Sequence, residues 1–105
     1  MSEQTISVNV EQDRATIALR GEHEAYTADK LARQIGALID EGVSVIIDLR
    51  EATFIDSTVV GVLIGSRRRA EERRLSFALV LGDDTGWPVR RILEVIGLES
   101  TFDIS

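Results

Sequence analysis

The chain has 105 residues, 44% of them hydrophobic and 29% charged, with a formal net charge of −6, a single histidine and no cysteine. That length fits one small domain over residues 1–105, and the missing cysteine excludes disulfide scaffolds, thiolate zinc sites and thiol catalysis, while one histidine works against a His-rich metal site. The acidic balance argues against nucleic acid as the main partner; with no leader-like apolar stretch in the first thirty residues and no run near membrane-span length, the chain reads as cytoplasmic, without a membrane partner.

Residues 5–10 (Thr-Ile-Ser-Val-Asn-Val) alternate polar and apolar, which predicts a strand with one wet face. Glu11-Gln12-Asp13 is a break short enough for a hairpin. Residues 15–19 then resume the alternation, so the first two strands are expected to run antiparallel, with Gly21 ending the second. From Thr27 onward, Leu31, Ile35, Leu38 and Ile39 recur at three- and four-residue steps. That spacing predicts an amphipathic helix capped by Thr27 and stopped by Gly42. Residues 43–49 are nearly continuous apolar, as in a parallel strand covered on both faces.

Residues 57–74 pull two ways. Thr58-Val59-Val60-Gly61-Val62-Leu63-Ile64 has the β-branched composition of a strand. Against that, Asp56-Ser57-Thr58 is rich in N-cap types, residues 67–74 are helix formers without alternation, and residues 76–81 are a better strand that needs a crossover before it. The balance predicts a helix, buried along its first half and solvated along its second. Residues 82–86 form a turn. Pro88 suits the first turn of a third helix carrying Val89, Ile92, Leu93 and Ile96 and closed by Gly97, and residues 102–104 make a last short strand. The order β-β-α-β-α-β-α-β predicts an α/β fold, a mixed sheet with an antiparallel edge strand and helices packed on it.

The stretch 49–58 follows a central strand at its carboxyl end, where open α/β sheets place their sites. Ser57 falls at or beside the helix N-cap. Its hydroxyl either satisfies a free backbone N–H or accepts a phosphate, which would add about −1.5 to −2 charges beside Asp56. Thr58 offers a second hydroxyl. Glu22 and Glu24 either recognise a basic partner or are ordinary surface acids, and His23 between them is expected to be a solvated loop residue. Asp48 is expected to accept loop N–H groups. Gly61 and Gly65 share one helical face and would serve packing or a partner equally. Arg67, Arg68, Arg69, Arg73 and Arg74 are expected to complement a helix C-terminus, and Trp87 to be either an exposed anchor or a cover for the sheet edge. A phosphoaspartate receiver is disfavoured because the sole lysine is Lys30, and a serine hydrolase because Gly-x-Ser-x-Gly is absent.

Val45-Ile46-Ile47-Asp48-Leu49, Phe54-Ile55-Asp56-Ser57-Thr58 and Gly61-Val62-Leu63 together resemble the signature of the STAS domain family, specifically its bacterial anti-sigma factor antagonists. Gly21-Glu22-His23-Glu24 and the C-terminal Ile92-Leu93 and Ile96-Gly97-Leu98 extend the similarity over nearly the whole chain. The resemblance implies a STAS-like fold and a regulatory protein that is not itself an enzyme and needs no cofactor or metal. It implies binding to an anti-sigma factor that is also a serine kinase, release on phosphorylation of Ser57, and resetting by a phosphoserine phosphatase. Glu22, Glu24, Asp56, Ser57, Thr58, Val59 and Gly61 are the expected partner-binding positions. Thr58 and Val59 depart from the family's Ser and Gly, and Glu24 from its Asp. The Val59 departure keeps a second expectation open, a STAS scaffold or ligand-sensing module that is never phosphorylated.

Overall fold

Hydrophobic alternation and helical periodicity resolve, in a computed structural model that describes residues 4–95 and 102–104, into eight elements in the expected order. They are β1 (Thr5–Glu11), β2 (Arg14–His23), α1 (Ala25–Asp40), β3 (Ser44–Ile55), α2 (Ser57–Glu72), β4 (Phe77–Leu81), α3 (Trp87–Val95) and β5 (Phe102–Ile104). The sheet is five-stranded in the order β1-β2-β3-β4-β5, with β1 antiparallel to β2 and every later pair parallel. Ile96 and Gly97, expected in the third helix, lie outside the described residues.

Each parallel step moves the same way across the sheet, and right-handed crossovers then place all the helices on one face. Accordingly α1 and α2 contact each other, and Val89 and Leu93 of α3 join the core cluster that holds Leu49 and Ala52. Alternate strand residues fill this single core: Ala15, Ile17 and Leu19 from β2, Val45, Ile47 and Leu49 from β3, Leu79 and Leu81 from β4. Leu31, Ile35 and Ile39 of α1 and Leu63 of α2 meet them from above. The opposite face of the sheet, with Thr16, Ala18, Ile46, Asp48 and Val80, is only half-buried.

Helix α2 forms against its local propensity. β-branching costs a few tenths of a kcal/mol per residue in a helix, whereas burying a Val or Leu side chain is worth about 1.5–3 kcal/mol. Val59, Val60 and Leu63 are all buried, so burial wins.

Three boundaries differ from expectation, for one connected reason. Gly21 does not end β2: with φ +83° it carries the strand through a register irregularity, and β2 continues to His23. The longer β2 supplies a partner for β3 beyond Leu49, with Arg20 opposite Glu51, Gly21 opposite Ala52 and His23 opposite Ile55. Most of the expected 49–58 loop is therefore strand. Helix α1 then starts at Ala25 rather than after Thr27, and its N-cap is Glu24.

Candidate functional site

Residue 56 lies where β3 ends and α2 begins, directly beside the end of β2 and the start of α1. Helix starts leave N–H groups without intrahelical acceptors. The Glu24 side chain makes no capping bond to α1. Asp56 serves both helices instead: Oδ1 accepts from Val59 N in α2 at 3.0 Å, and Oδ2 accepts from Ala25 N in α1 at 3.0 Å. Its own N–H donates to His23 O at 3.1 Å, and the Thr58 hydroxyl donates to Oδ1. The Thr58 bond, with further help from the Val59 and Ala25 N–H groups, holds the Asp56 carboxyl below its ordinary value against a smaller opposing effect of burial.

Within this frame the two candidate hydroxyls differ. Ser57 is the first helical residue, exposed, and among the described residues nothing hydrogen-bonds its hydroxyl. Capping is therefore not its role; Asp56 fills that place. Thr58 is also exposed, but its hydroxyl is committed to Asp56. Val59 is 0% exposed. Its expected part in partner binding is corrected: the side chain is turned into the core because position 59 lies on the sheet-facing side of α2, and only its N–H reaches the site. Gly61 is exposed, and a Cβ built there or at Gly65 would meet nothing within 4 Å. Neither glycine serves packing inside the chain.

Glu22 and Glu24 are exposed at the end of β2 and the start of α1, on either side of a residue that is not solvated. His23 is 1% exposed, a second correction. The alternation of Ala15, Ile17 and Leu19 continues through Gly21 to His23, so the ring points into the core and finds partners there. Arg20 O can only accept, so Nε2 donates to it at 2.9 Å, and Nδ1 lies 3.1 Å from Thr27 Oγ1. With both ring nitrogens engaged, His23 is not placed as a base for Ser57.

Asp48 accepts the N–H of Arg50, which lies within β3 rather than in the expected loop, and also binds the Arg50 guanidinium at 2.8 Å, which lowers its carboxyl below the ordinary value. Of the arginine cluster, Arg69 and Arg73 reach Asp40 at the end of α1, at 2.8 and 3.6 Å, tying the two helices together, and Arg67 pairs with Glu71. Trp87 is 75% exposed. The neighbouring Gly86 fixes where α3 starts, because a Cβ there would lie 2.3 Å from Thr53 O. Among the described residues no group of three or more His, Cys, Asp and Glu could hold a metal ion, and no helix is long and apolar enough to cross a membrane.

The site is thus an accessible hydroxyl at the start of α2, next to the Asp56 carboxylate that caps both α2 and α1. Comparison with known proteins places it in context. The family model described as STAS domain matches residues 5–105. The chain is 30% identical over 103 residues to the anti-sigma-B factor antagonist of Listeria monocytogenes, covering 94% of this chain and 88% of that one. Its fold is similar to that of the anti-sigma factor antagonist SpoIIAA in its unphosphorylated form, with a TM-score of 0.85 at 21% identity over 96% of this chain and 88% of that one. It is also similar to Bacillus SpoIIAA in the phosphorylated form, with a TM-score of 0.80 at 20% identity, covering 96% of this chain and 91% of that one.

Proposed function

The chain belongs to the STAS domain family, and from that membership we propose that it is an anti-sigma factor antagonist, which binds an anti-sigma factor with serine-kinase activity and is released when Ser57 is phosphorylated. The observation that carries the choice of residue is the contrast between the two hydroxyls: Ser57 Oγ is exposed and uncommitted, whereas Thr58 Oγ1 is bound to Asp56. A kinase can take Ser57 without first breaking a bond that holds the helix start together.

Transfer would join Ser57 Oγ to the γ-phosphorus of ATP, break the bond to ADP and pass the hydroxyl proton to the kinase. The product carries about −1.5 to −2 charges at neutral pH. The N-terminus of α2 tolerates part of that charge through its dipole, while the Asp56 carboxylate beside it repels it. Because Asp56 and the strands under it are already fixed by hydrogen bonds to two helices, the modification alters the surface potential far more than the fold. Glu22, Glu24, Thr58 and Gly61 would frame the contact, with Asp56 beneath it; a phosphoserine phosphatase would restore the binding form. Burial keeps the Val59 side chain out of a kinase's way, which favours this reading over a scaffold never phosphorylated.

The test is incubation of the chain with a serine-kinase anti-sigma factor and ATP, followed by mass mapping of residues 57 and 58. Phosphate is expected on Ser57, with Ser57→Ala binding the kinase persistently in the presence of ATP and Ser57→Asp binding at least tenfold more weakly, about 1.4 kcal/mol. Phosphate on Thr58, or equal binding by both variants, would overturn the assignment.

A further inference from the structure

We propose that β1 is a homodimerisation edge: two copies of the chain pair their Thr5–Glu11 strands antiparallel about a two-fold axis at Val8, joining their sheets into one. This surface is independent of the Ser57 site.

β1 pairs only with β2, so its outer edge is open among the described residues, and every residue of the strand except half-buried Ile6 is exposed. Edge strands are ordinarily blunted by lysine, proline, a bulge or extreme shortness. β1 has none of these: it runs for seven residues in unbroken register with β2, without Lys or Pro, and its one charge is Glu11 at the end.

Backbone geometry then sets which groups are offered. The two-residue turn Gln12-Asp13 closes on the pair Glu11 and Arg14, and such a turn makes its flanking pair a hydrogen-bonded one. Hydrogen-bonded and non-bonded pairs alternate along an antiparallel ladder. Asn9, Ser7 and Thr5 therefore bond inward to β2, while Val10, Val8 and Ile6 direct their N–H and C=O groups outward.

The sequence is self-complementary about the same residues. An axis at Val8 sets Val8 against Val8, Ile6 against Val10, Ser7 against Asn9 and Thr5 against Glu11. The outward-bonding residues face one another as apolar pairs, and each can exchange two N–H···O bonds. Val8 and Val10, 40% and 51% exposed, would be buried against their counterparts.

Charge agrees with this register. Thr5 lies opposite Arg20, and Arg20 lies opposite Glu51, which it binds at 2.9 Å. The second copy's Glu11 would come beside Thr5, which is short, at the lip of a shallow concavity of about 200 Å³ lined by Thr5, Ser7, Ala18, Arg20, Asp48 and Glu51. Acid, base and acid then alternate across the joint, and two-fold symmetry repeats the row at its other end. An extended segment of an unrelated protein could use the open backbone but would have no need of the palindrome.

A strand pair with little around it falls near the lower end of interface sizes, so the dimer is weak, with a Kd on the order of 0.1 mM. Sedimentation equilibrium of the purified full chain up to roughly tenfold above that value should show concentration-dependent dimer, abolished by Val8→Lys, which sets two ammonium groups against each other. The chain has no cysteine, so single-cysteine variants report the register even if Val8→Lys fails to fold. In Val8→Cys the two Cα atoms lie about 5.5 Å apart, within disulfide reach, whereas in Val10→Cys they are separated by about 14 Å along the strands. Oxidative cross-linking at least tenfold faster for Val8→Cys is expected. A chain that stays monomeric throughout, a folded Val8→Lys that still dimerises, or equal cross-linking of both cysteine variants would overturn the proposal.

Discussion

Asp56 does the most structural work of any single side chain at the site, because one carboxylate closes the starts of two helices that are not adjacent in sequence. Losing one N-cap costs about 0.5–2 kcal/mol. Asp56→Ala removes two and strands the Thr58 hydroxyl, so a loss of about 2 kcal/mol is expected in urea unfolding, with Ser57→Ala within about 0.5 kcal/mol of wild type. The pH dependence has a definite sign. Asp56 and Asp48 both have folded-state values below the ordinary one, Asp56 chiefly through Thr58 and Asp48 chiefly through Arg50. Groups depressed in this way add stability above the unfolded-state value near about 4 and lose it as the pH falls through the folded-state value. The urea midpoint should therefore hold from neutral pH down to roughly pH 5 and drop below about 4, with a shallower drop in Asp56→Asn.

At the scale of elements, α2 carries two interior glycines that the rest of the chain does not require. Each costs about 0.8–1 kcal/mol relative to alanine in a helix interior, and each has open space where a Cβ would go. Gly61→Ala and Gly65→Ala should each raise thermal stability by roughly 0.5–1 kcal/mol. On the proposed function, Gly61→Ala should also weaken binding to the anti-sigma factor, so stability and affinity move in opposite directions when titrated separately. Gly86 is the contrary case. An added methyl would strike the backbone of Thr53, which cannot swing aside as a side chain can, so Gly86→Ala should destabilise by about 1–3 kcal/mol. One helix thus keeps glycines for its outer face, while the entrance to another keeps one for its own packing.

For the whole molecule, the same-direction order of strands puts the helices on one face and makes β3 the central strand, paired on both sides. Hydrogen exchange should follow that geometry. Amides of Val45, Ile47 and Leu49 should exchange only through global unfolding, whereas those of Ile6, Val8 and Val10 at the open edge should exchange fastest among the strands in dilute solution. Slowing of those three amides as the protein concentration rises, with β3 unchanged, would place the contact on β1.

Much of this architecture is written in local pattern. Alternation at residues 5–10 and 15–19, the three- and four-residue apolar steps from Leu31 to Ile39, and the apolar run at 43–49 set the element types, because side-chain periodicity reports which face meets the core. The proposed acceptor, Ser57, stands out in the same way, as a hydroxyl among N-cap residues after a central strand. What the sequence did not disclose were relations between distant segments. His23 reads as a polar loop residue until β2 is seen to continue through the bend at Gly21, and β3 reads as ending at Leu49 until that longer β2 lies beside it. Asp56 could be read as the cap of the helix that follows it, but its bond to Ala25 spans 31 residues and exists only because the parallel pairing of β2 with β3 brings two helix starts together. Periodicity is a property of neighbours along the chain, while capping across elements, burial of a lone histidine and an unpaired edge depend on which strands lie side by side.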